Sequence, residues 1–230
     1  MLNLENVTVV CVTSVKIKES IFALEQTAKC AKFADIKLIT DSPIESFGNL
    51  NYNIKVESCP KLDYIGYSKY IIYDLYKHIE SDYVLVINWD GFILNPNKWD
   101  DKFLEYDYIG ALWTDEHNFF DENGNSVYVG NGGFSLRSKK LLELASKINI
   151  PWTPHHWIDL NGKRFENWNE DAWISVKNRH IYEEAGCKWA PKHVSAAFSH
   201  EYHSKDLKEH LNINPFGFHG KVALKKFKYT

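Results

Sequence analysis

Short apolar segments rich in β-branched residues alternate with segments of helical period over the first third of this chain. Residues 7–13 (VTVVCVT), 36–40 (IKLIT) and 83–87 (YVLVI) are short segments rich in apolar and β-branched residues, which is typical of buried strands, and 54–57 predicts a shorter one. Residues 16–33 and 67–79 place apolar side chains three and four positions apart, as amphipathic helices do. The alternation predicts a parallel sheet with helices on its faces.

The second half of the chain is less regular. Residues 106–112 predict a strand, and 121–126 (DENGNS) contain a sequence typical of a tight hairpin turn. Residues 132–138 predict an extended segment, followed by a helix over 139–147 that Ser138 caps. Another helix is predicted over 169–178, with Asn169 as its cap. No repeat, low-complexity tract or linker divides the sequence, so we expect a single domain over 1–230.

Composition excludes several classes of protein. The net charge is -3, whereas proteins that bind nucleic acids usually carry excess positive charge. No apolar run reaches the length of a membrane span, and the first residues lack the basic start and cleavage site of a signal peptide. The cysteines form no C-x-x-C pair, which predicts reduced thiols in a cytoplasmic protein and no zinc site; they are Cys11, Cys30, Cys59 and Cys187.

Polar residues follow the strand predicted at 83–87 directly. Asn88, Trp89, Asp90 and Gly91 interrupt the apolar run, which resumes at Phe92. Asn, Asp and Gly all favour turns, so a plain turn is one interpretation. The other is a ligand site, because open α/β sheets bind ligands at the carboxyl ends of their strands and hard divalent cations prefer carboxylate oxygens.

Three further segments carry candidate chemistry. The sequence VGNGGFSLRS places three glycines around Asn131, which predicts either a β-bulge or a close approach of the backbone to a ligand. Glu170 and Asp171 lie in the first turn of a predicted helix, where they complement the helix dipole or supply a general base. His219, in PFGFHG, is either a structural histidine or a metal ligand.

Tryptophans are concentrated in one part of the chain. Five of the eight lie between positions 152 and 189, and aromatic residues make up 15% of the sequence. Some are expected in the core, but tryptophan also suits a surface where an apolar face meets a polar ligand such as a sugar. We expect Trp168, Trp173 and Trp113 to form such a platform.

The order of these segments resembles the GT-A fold glycosyltransferases, which transfer a sugar from a nucleotide donor. NWDG is similar to their D-x-D metal motif, GNGGFSLR to the acceptor-side segment, NED to the x-E-D motif, and FHG to the C-terminal metal histidine. The chain is still more similar to a small bacterial glycosyltransferase-like family that shares WDGF, YDYIGALW and GNGGFSLRS. The resemblance extends from about residue 7 to residue 220.

The resemblance implies a single GT-A-like, Rossmann-like α/β domain. It has a nucleotide-binding half over about 1–90, an acceptor-binding half over about 91–220 and a basic tail over 221–230. Mn²⁺ or Mg²⁺ is expected between Asp90 and His219. Asn88 departs from the motif, since it brings no charge, so metal affinity rests on those two residues and the donor pyrophosphate. The donor-binding residues implied are Thr13, Asp41, Lys69, Asn88 and Asp90.

The same resemblance assigns the acceptor side. Asp171 is expected to take a proton from the acceptor hydroxyl, which attacks with inversion, while Glu170 orients the acceptor or serves as base instead. The junction between donor and acceptor is expected to be lined by Asn131, Gly132, Gly133 and Trp168.

The implied partners are a nucleotide-sugar donor and a carbohydrate or lipid-linked glycan acceptor, with no nucleic acid, and the implied pathway is the synthesis of surface polysaccharide or glycoconjugate. The tail lysines are expected to touch donor phosphates or an anionic membrane, or to be a solvated surface helix; they are Lys221, Lys225, Lys226 and Lys228. The resemblance implies that the protein is cytoplasmic, and binding of the tail to lipid would place it at the inner face of the membrane.

Two other functions stay open. A sugar nucleotidyltransferase also uses an α/β nucleotide fold and a metal, but it normally has a glycine-rich loop after its first strand, and CVTSVKIKES contains no glycine. A catalytically inactive carbohydrate-binding relative is consistent with Asn88 and the many tryptophans.

Overall fold

The computed structural model describes residues 2–113, 119–121, 124–158, 164–201, 214–221 and 224–225. The strands of the central sheet are β1 (Leu2–Val12), β2 (Ala31–Thr40), β3 (Lys55–Ser58), β4 (Tyr83–Ile87), β6 (Tyr108–Ile109) and β7 (Phe134–Ser138). Smaller sheets are formed by β5 (Phe92–Ile93), β10 (Ser199–His200) and β11 (Gly217–Phe218), and by β8 (His155–Ile158) with β9 (Arg164–Asn167).

Helices connect and cover these strands. The α-helices are α1 (Ile17–Ala28), α2 (Tyr64–Tyr73), α3 (Lys139–Lys147), α4 (Glu170–Ala172), α5 (Arg179–Glu184) and α6 (Lys192–Phe198). A π-helical segment, Trp173–Lys177, continues α4 directly. Short 3-10 helices lie at Ile44–Ser46, Asn51–Asn53, Leu75–His78, Pro96–Lys98 and Asp101–Glu105. Among the described helices, none is long and apolar enough to cross a membrane.

The central sheet is mostly parallel, as predicted. Its order is β3-β2-β1-β4-β7-β6, and β1 pairs in parallel with both β2 and β4. The exception is β7, which runs antiparallel to β4 and β6. The fold is therefore a mixed α/β domain whose sheet has helices on both faces.

The middle of the sheet is buried on both faces, which explains the apolar residues in the second half of β1 and in β4. On one face, Val9 of β1 and Leu85 of β4 pack with Leu24 of α1. On the other face, Val10 and Val84 pack with residues of α2 and α3. The four cysteines are free, in agreement with the expectation of thiols.

Two predicted helices have different bounds in the structure. The helix predicted over 16–33 ends at Ala28, because Ala31 and Phe33 instead pair with Leu2 and Leu4 of β1. The helix predicted over 67–79 starts earlier and changes to a 3-10 turn at its end. Its start is fixed by Asp63, whose side chain accepts a hydrogen bond of 2.7 Å from the Gly66 N–H.

The second half agrees with the sequence in places. Of the strand predicted over 106–112, only Tyr108–Ile109 is formed. An added Cβ at Gly110 would lie 2.0 Å from the Asn131 carbonyl oxygen, so this segment passes close to the glycine-rich segment. The predicted hairpin at 121–126 is supported by a bridge between Phe120 and Ser126; its residues 122–123 lie outside the described part. The helix over 139–147 and its Ser138 cap are confirmed.

The Ser138 cap gives a prediction for stability. Ser138 is buried, and its hydroxyl accepts from the Leu141 N–H at 3.1 Å and also contacts the Asp107 carboxylate. We expect Ser138→Ala to lower the free energy of unfolding by about 1–2 kcal/mol in a urea titration, since both contacts are lost. Ser126→Ala, at an exposed position, is the matched control and should change it little. Equal stability of the two variants would contradict the capping role.

Candidate active site

A cavity of about 490 Å³ opens at the edge of the sheet where β4 ends. Its volume lies in the range of small-molecule sites. It is lined by polar and aromatic residues from α2, the glycine-rich segment, α4 and the two C-terminal short strands: Tyr64, Tyr67, Ser68, Asn88, Trp113, Phe119, Asn131, Gly133, Asn167, Asn169, Glu170, Asp171, Glu201 and His219.

A second cavity, of about 730 Å³, lies against the first half of β2. It carries one carboxylate, Asp35, which is already paired with Lys55 at 2.8 Å. The first cavity has three lining carboxylates and a histidine, so it is the candidate for chemistry.

The end of β4 is both a turn and part of the site. The Gly91 N–H donates to the Asn88 carbonyl at 3.1 Å, and the Asn88 N–H donates to the Gly133 carbonyl at 2.8 Å. The side chain of Asn88 lines the cavity, where its Oδ1 accepts from the Tyr67 hydroxyl at 3.1 Å. A Cβ at Gly91 would lie 2.6 Å from the Phe218 carbonyl oxygen, so the turn needs glycine at this close approach.

His219 lies between two carboxylates. Its Nε2 is 3.4 Å from Oδ1 of Asp90, and its Nδ1 is 3.3 Å from Oε1 of Glu201. Burial disfavours the charged imidazole, but contacts with these carboxylates outweigh it and raise the pKa of His219 to about 10. A Cβ at Gly133 would lie 2.0 Å from Nε2, so the ring packs directly on a glycine backbone.

The donor types at His219 fit a divalent cation. Carboxylate and imidazole are both ligands of Mn²⁺, and two ligands of one ion at about 2.1 Å each are about 3–3.4 Å apart. The Asp90–His219 separation is 3.4 Å. No group of three or more His, Cys, Asp or Glu side chains able to hold a metal occurs in the described residues. An ion at Asp90 and His219 would therefore need further oxygen ligands from a substrate or water.

Glu170 is engaged in a buried ion pair. Its Oε1 lies 3.1 Å from Nη2 of Arg137. The Glu170 side chain is 9% exposed and that of Arg137 is 0% exposed. Arg137 also donates to the Gly132 carbonyl at 3.4 Å and to the Ser135 hydroxyl at 3.0 Å. Since a buried carboxylate needs a partner, Arg137 holds Glu170 in place beside the cavity.

Asp171 has a different environment from its neighbour. Its carboxylate accepts from the Gly132 N–H at 3.1 Å and from the Ala172 N–H at 2.7 Å. Removal from water and the charge of Glu170 raise the pKa of Asp171 to about 7, although the two N–H groups and Arg137 oppose the shift. A carboxylate with this pKa changes protonation near neutral pH, as a general base must.

The predicted site residues are only partly brought together. Those that line the cavity are Asn88, Asn131, Gly133, Glu170, Asp171 and His219. Two more contact residues that line the cavity: Asp90 lies 3.4 Å from His219, and the Gly132 N–H donates to Asp171. Thr13 and Asp41 follow β1 and β2 and so share the carboxyl edge of the sheet with Asn88, but they do not line the cavity. The roles assigned to these residues stay predictions.

Lys69 and the tryptophans lie differently from expectation. The Lys69 ammonium is 5.7 Å from the ring centre of Trp152, outside the cavity. Trp168 stacks on Trp152 at 5.4 Å and does not line the cavity either. Trp173 is fully buried, so its expected part in a sugar platform is wrong. Trp113 is the member of the predicted platform that does line the cavity.

The first tail lysine lies near the end of β4. Lys221 and Lys16 are 5.8 Å and 5.7 Å from the ring centre of Trp89, so two cations flank the residue between Asn88 and Asp90. Lys16 has a left-handed backbone, with φ of 55°, at the start of α1. Lys226 and Lys228 lie outside the described residues.

Several lining residues were missed in the sequence. Tyr64 and Tyr67 are three positions apart on α2, directly after the Asp63 cap. This helical spacing could have indicated that they share one face of the helix. Asn169 was predicted as a cap, and it does occupy that position, but its side chain makes no capping bond and accepts from the Tyr64 hydroxyl instead. No sequence pattern near Glu201 indicated a role in this cavity, because only the fold brings it close to His219.

Comparison with solved structures gives the class of fold. The structure is similar to that of a glycosyltransferase involved in the glycosylation of the major capsid of PBCV-1, with a TM-score of 0.52, 13% identity, and coverage of 97% of this chain and 99% of the other. The chain belongs to the family described as "protein of unknown function (DUF5672)", whose model matches residues 56–219. No curated protein sequence matches the chain significantly.

The raised pKa of Asp171 gives a prediction about stability. Its ordinary pKa is 3.8, so between about pH 4 and pH 7 the folded protein keeps a proton that the unfolded chain has lost, and stability falls as pH rises through that window. We expect Asp171→Asn to be more stable than the wild type above pH 7, by on the order of 1–3 kcal/mol. The difference should vanish near pH 4. Urea titrations across this range test it, and a difference that is constant with pH would contradict it.

Proposed function

We propose that this protein is a glycosyltransferase that moves a sugar from a nucleotide-sugar donor to an acceptor hydroxyl with inversion. The observation that carries the proposal is the placement of Asp171, with its near-neutral pKa, in the same cavity as Asn88 and His219. A base and a group of anion- or metal-binding side chains are the two parts that such a transfer requires.

The donor side of the proposed site is the edge formed by the ends of β1, β2 and β4. Thr13, Asp41 and Asn88 follow these strands, and Asn88 faces the cavity. Lys16 and Lys221 beside Trp89 supply positive charge at the same edge, which suits a diphosphate. Lys69 is not assigned to the phosphates, since its ammonium lies over Trp152.

Asp90 and His219 are the residues that would hold Mn²⁺ or Mg²⁺. A bound cation would supply electrostatic stabilisation of the departing nucleoside diphosphate. The chain's own contribution is the position of these two side chains: Asp90 is buried, and the ring of His219 packs on the Gly133 backbone. Asn88 adds a neutral side-chain oxygen to the same site, and this oxygen already accepts a hydrogen bond from the Tyr67 hydroxyl.

Asp171 is proposed to accept the proton of the attacking hydroxyl. Its two backbone hydrogen bonds fix the carboxylate, and its near-neutral pKa makes it a stronger base than an ordinary aspartate. Glu170 is assigned a positioning role, because its Oε1 is held by the buried Arg137. In this mechanism the attack is a single displacement, so the anomeric configuration inverts.

The acceptor is proposed to be a carbohydrate, either free or lipid-linked, in the synthesis of surface polysaccharide or glycoconjugate. Trp113 and Phe119 give the cavity an aromatic wall, which suits the apolar face of a sugar ring. The proposed location is the cytoplasm and the inner face of the membrane, where Lys221 and Lys225 would favour anionic lipid.

Nucleotide binding tests the donor assignment. We expect the melting temperature to rise by about 5 °C or more with one of UDP, GDP, dTDP or CMP in the presence of Mn²⁺, because a ligand that binds only the folded state stabilises it. Asp90→Ala should abolish the part of the rise that depends on Mn²⁺. Asp82→Ala, an exposed aspartate at the other end of β4, is the matched control and should keep it. The absence of a shift with every nucleotide would contradict the transferase proposal and favour a carbohydrate-binding protein.

A further inference from the structure

We propose that Glu201 is the positioning residue that orients His219, so that one ring nitrogen is held in the protein and the other is presented beside Asp90. This inference rests on the proposed function, because it concerns the cation site of that same cavity. Glu201 belongs to none of the sequence motifs, and its place beside the histidine results from the fold alone.

Two short parallel strands bring Glu201 and His219 together. Glu201 follows β10 and His219 follows β11, and these strands pair in parallel with Ser199 opposite Gly217. The His219 N–H donates to the His200 carbonyl at 2.9 Å, which continues the pairing by one residue. The register therefore places the two side chains at the same level at the ends of adjacent strands.

Glu201 is itself held rigidly. It is 8% exposed, and its Oε2 accepts a hydrogen bond from the Asn131 side chain. Gly220 packs against its other side, since an added Cβ there would lie 3.1 Å from Cγ of Glu201. One carboxylate oxygen is thus fixed by Asn131, while Oε1 is left 3.3 Å from Nδ1 of His219.

The imidazole needs this partner. Nδ1 is buried and makes no well-aligned hydrogen bond, and the Glu201 carboxylate lies 3.3 Å from it, within reach after a small rotation of either side chain. A histidine that binds a metal through one nitrogen usually donates its other N–H to a carboxylate or carbonyl, which fixes the ring and its tautomer. With Nδ1–H directed to Glu201, Nε2 is the nitrogen on the side of Asp90, where the separation of 3.4 Å fits two ligands of one ion. A cation held there would take the place of the Nε2 proton.

Mn²⁺ binding tests this inference without any need for the substrate. The probe is Mn²⁺, with free ion measured by electron paramagnetic resonance, first alone and then with each of UDP, GDP, dTDP and CMP. We expect Glu201→Ala to weaken Mn²⁺ binding by about 10- to 100-fold, the usual effect of losing such an outer partner. Glu201→Gln should weaken it by about two- to tenfold, because the neutral amide oxygen can still accept from Nδ1–H but does so more weakly than a carboxylate.

The controls separate orientation from stability. Glu105→Gln removes an exposed carboxylate in a different part of the chain and should leave Mn²⁺ affinity unchanged. If Glu201→Ala does not fold, Glu201→Gln decides: a loss of two- to tenfold supports the inference. Wild-type affinity in either folded Glu201 variant overturns it.

Failure of this inference differs from failure of the proposed function. If a nucleotide stabilises the wild type but Mn²⁺ does not bind, the orienting role of Glu201 is overturned and a metal-independent transferase remains. If neither Mn²⁺ nor any nucleotide binds, both proposals fail.

Discussion

The antiparallel pairing of β7 with β4 is the constraint on which the site depends. Its register sets Ile87 opposite Phe134, so the first residue beyond β4, Asn88, meets Gly133 of the glycine-rich segment. The same register buries Arg137 beneath that segment, where it reaches Glu170. A shift by one residue would turn every side chain of β7 to the other face and separate these groups. The residues proposed for the donor side and those proposed for the acceptor side are thus joined through one strand pair.

Charge is distributed unevenly around the cavity. Arg137 is paired with Glu170, whereas Asp171 accepts from backbone donors and forms no ion pair with any residue in the described part of the chain, so the two adjacent acids have different roles available to them. On the opposite side, His219 lies between Asp90 and Glu201. Burying such charges costs free energy unless each has a partner. Clusters of buried charges of this kind are typical of functional sites.

Sequence reasoning located the elements that are set by local chemistry. The strands at 36–40 and 83–87 are rich in β-branched and apolar residues, and the Ser138 cap precedes its helix directly, so neither prediction depended on distant residues. The prediction failed where strand pairing overrode a helical pattern of apolar residues. Ala31, for example, was predicted in a helix but belongs to β2. The motif residues Asp171 and His219 were recognisable, but Glu201 was not, because nothing near it in the sequence indicates its contact with His219. Burial likewise could not be deduced for Trp173 among many similar tryptophans.

Donor turnover tests the transferase proposal most sharply. Purified protein with Mn²⁺ would be incubated with UDP-, GDP- and dTDP-linked sugars together with a set of free mono- and disaccharides as acceptors, and the release of nucleoside diphosphate followed over time. We expect release from one donor class, reduced by about 100-fold or more in Asp171→Asn, since a general base contributes about that much. Release that is equal in the wild type and this variant, or no release from any donor by a protein that binds nucleotide, would contradict it.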